Sequence, residues 1–229
     1  MIPAVGSVEL STVLDALAMR RPVFHSEADF QHELAWQFRL HDPTLAVRLE
    51  VPLILDKSTG RREYLDLLVS SLTGMRMAIE LKYATERLEV SIAGEEFQLA
   101  RKSAQDTATY DVVKDISRLE RFVNADQADS GLLVLLANDS WYWRPPASER
   151  ATGAQQFRVH EGARLTGVRA WQEASGPGTR KGRTTPISLL GSHICHWEDY
   201  SAVTNPPFRM LVIPVSKTID PHSETGGQQ

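Results

Sequence analysis

Cysteine is almost missing from this sequence: Cys195 is the single example in 229 residues. One thiol excludes an intramolecular disulfide framework. Long apolar runs are missing too, and none approaches the ~18 residues of a membrane span. No membrane partner is therefore expected. The stretch MIPAVGSVELSTVLDALAMRR places its basic pair after the apolar residues, the wrong order for a secretion signal. These lacks leave a cytoplasmic location as the expectation. Neither a P-loop nor a GxGxxG fingerprint occurs, which removes the usual sequence marks of nucleotide-binding α/β enzymes. No internal repeat or long low-complexity tract is present.

What is present has a globular balance, with 42% hydrophobic and 24% charged residues. The net charge of −4 argues against a passive nucleic-acid coat, but the charge is unevenly spread. Residues 22–140 carry 20 acidic against 13 basic side chains, and residues 141–186 carry 3 against 8. A polyanion would meet the second stretch, with Arg180, Lys181 and Arg183 as the expected phosphate contacts. The same arginines could instead only solvate a loop. His193-x-Cys195-His196 offers ligand types that zinc favours. Zinc sites take four ligands at recognisable spacing, and no second pair completes this one.

The periodicity predicts a short amphipathic helix over 7–20, with Val13, Leu14, Leu17 and Ala18 on one side. A second helix is predicted from Ser26, the N-cap, to His41, with Phe30, Leu34 and Phe38 facing a core. The period then changes. Val47–Leu55 reads as a strand, and Pro52 makes it an edge or bulged one. Lys57–Gly60 reads as a turn. Glu63–Ser70 and Met75–Tyr83 read as a hairpin around Ser71–Gly74. A long helix is expected from about Phe97 to Val123, then a buried strand at Gly131–Asn138. Residues 144–186 read as loop-rich, with a mobile loop at Ala174–Arg183. Ile187–His196 and Phe208–Val215 supply two further strands. The whole is expected to be one domain, 1–229: a core over about 26–140, the loop-rich 141–186, strands in 187–217 and a disordered tail, 218–229. Trp141-Tyr142-Trp143 suits a core rim, a dimer interface or, less readily, base stacking. A homodimer is possible.

The chemistry concentrates in the predicted hairpin. In Met75–Tyr83 the odd positions are apolar, and Glu80 and Lys82 share the even face. In Glu63–Ser70, Leu65, Leu67 and Val69 are apolar, and Asp66 is even. A hairpin that keeps both apolar faces together puts Asp66 beside Glu80 and Lys82, and a three-residue turn sets Asp66 opposite Glu80. Two carboxylates that close repel each other, and a hard divalent cation offsets the repulsion. Such an ion could hold a scissile phosphate and acidify a water, with Lys82 supplying a nearby cation or base.

The spacing Asp66-x13-Glu80-Leu81-Lys82, on two adjacent strands after a helix, resembles the PD-(D/E)XK nuclease superfamily. The resemblance spans the elements from about residue 26 to 138. Leu65 stands where the family often has Pro. The resemblance implies an α/β, restriction-endonuclease-like mixed sheet flanked by helices. It implies a metal-dependent nuclease using Mg²⁺ or Mn²⁺, with DNA a more natural substrate than RNA. Asp66 and Glu80 would bind the metal, the Leu81 carbonyl would add a ligand, and Lys82 would assist the attacking water. An acidic residue on the preceding helix would join them: Glu33 by preference, Glu27 as the alternative. Lys102 and Gln105, on the helix after the Glu-x-Lys strand, would support the site and contact nucleic acid. The alternative is a catalytically inactive protein of the same fold that binds nucleic acid or serves as a scaffold.

Overall fold

The computed structural model describes residues 4–53, 63–102, 104–146 and 152–218. A short hairpin, β1 (Ala4–Val5) and β2 (Val8–Glu9), leads into α1 (Leu10–Arg20). Next comes α2 (Glu27–His41). The Ser26 hydroxyl accepts the Asp29 N–H at 3.1 Å, which satisfies one of the free donors of the first turn. Strands β3 (Ala46–Leu53), β4 (Glu63–Ser70) and β5 (Arg76–Ala84) then form an antiparallel meander. After a small hairpin, β6 (Leu88–Ile92) and β7 (Glu95–Leu99), the chain crosses over through α3 (Gln105–Asn124) to β8 (Ser130–Ala137). Strand β8 pairs parallel with β5. The rest comprises β9 (Arg164–Arg169), a one-turn α4 (Pro177–Arg180), β10 (Ile187–Ile194), β11 (Trp197–Ser201) and β12 (Phe208–Val215).

The main sheet has six strands in the order β11-β12-β8-β5-β4-β3, so the protein is mixed α/β with helices on both faces. Two cores lie on either side of it. One joins α1 and α2 to Leu67, Val69, Met77, Ile79, Leu81 and Tyr83. The other joins α3 to Ala78, Leu133, Leu135, Leu211 and the β9–β10 pair. This is the pleat at work: odd positions of β5 serve the first core, and even ones face α3. Strand β8 is buried throughout after Ser130, as a central strand covered on both faces must be. No described helix is long and apolar enough to cross a membrane.

Two expectations change, and one strand finds a partner that was not assigned. The long helix begins at Gln105, not near Phe97; Phe97 and Leu99 belong to β7. Ile187–Ile194 does not join the main sheet but pairs with β9, and β11 takes the outer edge beside β12. Ala174–Arg183 contains the turn of helix α4 rather than only loop. Pro52 does lie on an edge strand, since β3 ends the sheet. The turn expected at Lys57–Gly60, the far end of the strand expected to reach Leu55, and the tail beyond Thr218 lie outside the described residues.

Candidate active site

The site arises where the sheet comes apart. Strands β4 and β5 pair from Ser70–Arg76 to Leu67–Ile79. One step further in that register Asp66 would face Glu80, but the described ladder stops. The same point disturbs β3, where Leu49–Leu67 and Val51–Leu65 pair but Glu50 between them has φ of 50°. That left-handed conformation is strained for a residue with a Cβ. Leu65, expected beside Leu67, packs into the α3 core instead, because the alternation slips at the break. Gln31 of α2 bridges the distortion: its Nε2 donates to the Asp66 carbonyl at 2.7 Å and to Glu50 Oε1 at 3.0 Å.

Beyond the break the edge of β5 has lost its neighbour, and its polar groups need other partners. Charged side chains take that place. Asp66 Oδ2 accepts the Leu81 N–H at 2.6 Å, and Glu27 Oε2 accepts the Tyr83 N–H at 2.8 Å. Lys82 Nζ donates to the Leu81 carbonyl at 2.9 Å, and Lys102 Nζ to the Tyr83 carbonyl at 2.6 Å. Hydrogen bonds to ionised groups are about twice as strong as neutral ones, which suits a sheet edge left open.

Helix α3 closes the site from above. Arg118 grips Glu80 with two nitrogens, Nε to Oε1 at 2.9 Å and Nη2 to Oε2. Its Nη2 also reaches Asp115 Oδ1 at 3.0 Å, and the other Asp115 oxygen meets Lys82 Nζ at 2.7 Å. Glu80 has no exposed surface. Burial pushes its carboxyl far above the ordinary range, and Asp115 adds to this against the pull of Arg118. Asp66 is also raised by burial, against the Leu81 N–H and Lys82. Burial alone would lower Lys82, but Asp115 and Glu27 outweigh it and hold the ammonium strongly protonated.

These groups border a cavity of about 550 Å³ whose walls include Glu27, Asp66, Lys82, Lys102, Asp115 and Arg118. Asp66 and Lys82 reach it directly, whereas Glu80 lies behind Arg118 in its wall. Of the two helix acids, Glu27 takes the site. Glu33 is felt instead by Arg21 and Tyr200, because it lies a third of a turn off the Glu27–Gln31–Leu34 stripe. Lys102 stands just before α3, not on it. Gln105 opens α3, donates to Asp139 Oδ2 at 2.6 Å and borders a neighbouring cavity with Trp141 and Arg158.

Lys181 and Arg183 line a second cavity on the far flank of α3, and Arg180 is not part of that lining. Tyr142 and Trp143 are buried in the α3 core, and Trp141 lies under the Arg158 guanidinium at 3.8 Å. One face of Trp141 is thus covered by Arg158. The His-x-Cys-His run is dispersed: His193 bonds Glu120, His196 bonds Glu161, and Cys195 is buried.

Asp115 and Arg118 were the residues that spacing alone did not place. Asp115 sits at i+3 from Val112 and beside Ile116, within the apolar stripe of α3. A carboxylate inside such a stripe was the available signal.

Among the described residues no group of three or more His, Cys, Asp or Glu side chains is arranged to hold a metal ion. The donor chemistry nonetheless suits a hard cation. Mg²⁺ keeps several waters and needs only one or two carboxylates; Asp66 accepts the Leu81 N–H, and the Leu81 carbonyl accepts Lys82 Nζ. Comparison of the chain with family models, with curated proteins and with solved structures gives no match.

Proposed function

We propose that the protein is a metal-dependent phosphodiesterase, a nuclease with a restriction-endonuclease-like domain that acts on nucleic acid, DNA before RNA. One observation carries this reading. The broken β4–β5 ladder and the α3 crossover leave Asp66 and Lys82 on one cavity together with Asp115 and Arg118, and Glu80 is buried against Arg118 beside it.

Asp66, Glu80 and the Leu81 carbonyl would hold Mg²⁺ or Mn²⁺. Bound there, the ion supplies Lewis acidity and lowers the pKa of a coordinated water. The chain's own groups do the rest. Lys82, held by Asp115, sits beside the Leu81 carbonyl and neutralises charge on a phosphate entering the cavity. Its raised pKa makes it an electrostatic and orienting group in this state rather than a ready base. Arg118 holds Glu80 in place and keeps its charge compensated. Gln31 fixes the backbone of Asp66.

A second reading has an observation of its own. Glu80 is fully engaged by Arg118, and Lys82 by Asp115, as in an internally neutralised nuclease-like domain that only binds nucleic acid or scaffolds.

Calorimetry with Mn²⁺, together with cleavage assays on linear, circular and single-stranded nucleic acids, separates the two. The nuclease reading expects Mn²⁺ binding that Asp66→Asn abolishes. It also expects cleavage that falls about 10²–10⁴-fold in Lys82→Ala while Mn²⁺ binding survives. A wild-type protein that binds Mn²⁺ yet cuts nothing, or binds none, overturns it.

A further inference from the structure

Helix α3 has a cavity on each flank. The first is the carboxylate site. The second, of about 810 Å³, lies between α3 and the segment entering β10. Lys114, Arg121, Lys181 and Arg183 line it, along with Asp111 and Glu120. The acidic pair does little to cancel the four cations. Glu120 is buried, and its oxygens are taken by the N–H groups of Leu190 and Gly191 and by His193. Asp111 meets Arg183 only at 3.9 Å, and Arg121 meets Glu63 at 3.7 Å. Pairs at such separations near the surface contribute little and yield readily to a better partner. The result is a positive recess in a chain whose net charge is −4.

The two cavities share part of their lining. Asp111 and Lys114 border both, because they lie on the outer ridge of α3. Along that ridge the helical repeat sets Asp115 and Arg118 towards the sheet, and Ser117 and Arg121 towards the second recess. A strand whose phosphate sat in the first cavity would cross Lys114 to reach the second.

We infer that this recess seats the phosphates flanking the bond to be cleaved. Lys114, Arg121, Lys181 and Arg183 would contact the backbone of a nucleic-acid strand that crosses α3. The inference rests on the nuclease reading for its polarity, but not for its chemistry. Lysine and arginine contacts to phosphate fix position without reading sequence, so the recess supplies affinity rather than specificity.

The test is binding of a fluorescent duplex and a fluorescent single-stranded oligonucleotide, titrated with salt in EDTA so that no cleavage intervenes. Each duplex phosphate contact adds about 0.9 to the slope of log affinity against log salt. Four contacts predict an affinity loss of about 150-fold between 50 and 200 mM salt. The Lys181→Ala/Arg183→Ala variant should lose only about 12-fold over the same range, with Lys114→Ala and Arg121→Ala each intermediate. Arg180→Ala, which alters a residue lining neither cavity, should keep the wild-type slope.

If the slopes of the three recess variants match wild type while wild type binds and cleaves, the recess is not the backbone seat and the nuclease reading stands. If wild type binds with the predicted slopes yet never cleaves with Mn²⁺, the recess stands and the catalytic reading falls. A wild-type protein that binds neither oligonucleotide at 50 mM salt overturns the inference. Unfolding curves for each variant show whether a lost slope reflects lost structure.

Discussion

Arg118 is the residue on which the buried charge depends most. It touches two carboxylates, Glu80 and Asp115, and its own side chain is only 11% exposed. Removing one member of a buried pair strands the other, at a cost of about 3–5 kcal/mol. Arg118→Ala should destabilise the protein by roughly that amount in denaturant unfolding. Adding Glu80→Gln should recover part of the loss, because the stranded charge is gone. Purely additive effects of the two substitutions would show that the pair is not coupled as the geometry requires. At this scale the sequence was legible where period two governs. Asp66, Glu80 and Lys82 were placed on one face by parity; Asp66 and Lys82 border one cavity, and Glu80 lies buried against Arg118. Arg118 was visible only as a charge on a helix. Its partner lies 38 residues away, and nothing local marks such a pairing. Glu33 was preferred to Glu27, and the structure reverses that order, because the phase of α2 places Glu27 and Gln31 on one stripe and Glu27 at the cavity.

Among elements, the docking of β10 on α3 hangs on Glu120. Burial opposes its ionised form, but the His193 bond and the Leu190 and Gly191 N–H groups outweigh this and lower its pKa. Its folded value thus lies below the ordinary 4.5, so its stabilisation is complete above about pH 4.5. That stabilisation is lost as pH falls through the lowered folded value. Glu120→Gln should cost about 2 kcal/mol or more at pH 7, and the gap from wild type should narrow below pH 4. A gap that stays constant from pH 7 to pH 3 would assign the effect to shape rather than charge. The elements also show what local patterns hid. The Arg87–Leu99 stretch is rich in Glu; most of it was given no element, and its end, from Phe97, was read as the start of the long helix. Its alternation of Leu88, Val90 and Ile92 with Phe97 and Leu99 in fact marks a hairpin. Its two-residue turn, Ala93-Gly94, has φ of 51° and 85°, the mirror-image turn that twisted hairpins prefer. Ala is an unusual first residue there, which disguised it. Strand β9 was missed because its partner, β10, shifts register between Leu189 and Ser192, and because Gly167 breaks the run.

Across the whole molecule, one mixed sheet separates two cores. Its central parallel pair, β5 and β8, can form only after α3 has crossed over. The meander and the crossover were readable from element order, because short connections and right-handed crossovers leave few alternatives. The split of the sheet at Asp66 was not, since it depends on three strands and α2 acting together. That split has a consequence for hydrogen exchange. The Leu81 and Tyr83 amides lie deep in the sheet, yet each is shielded by one carboxylate rather than by a neighbouring strand. Asp66→Ala should therefore raise Leu81 exchange selectively, and Glu27→Ala should do the same for Tyr83, while β8 amides keep the protection of global unfolding. Exchange of Leu81 in step with β8 in the Asp66 variant would mean that the carboxylate does not guard it. A ligand that draws Asp66 away from β5 must expose that amide, so the Leu81 amide is a built-in reporter of what occupies the cavity.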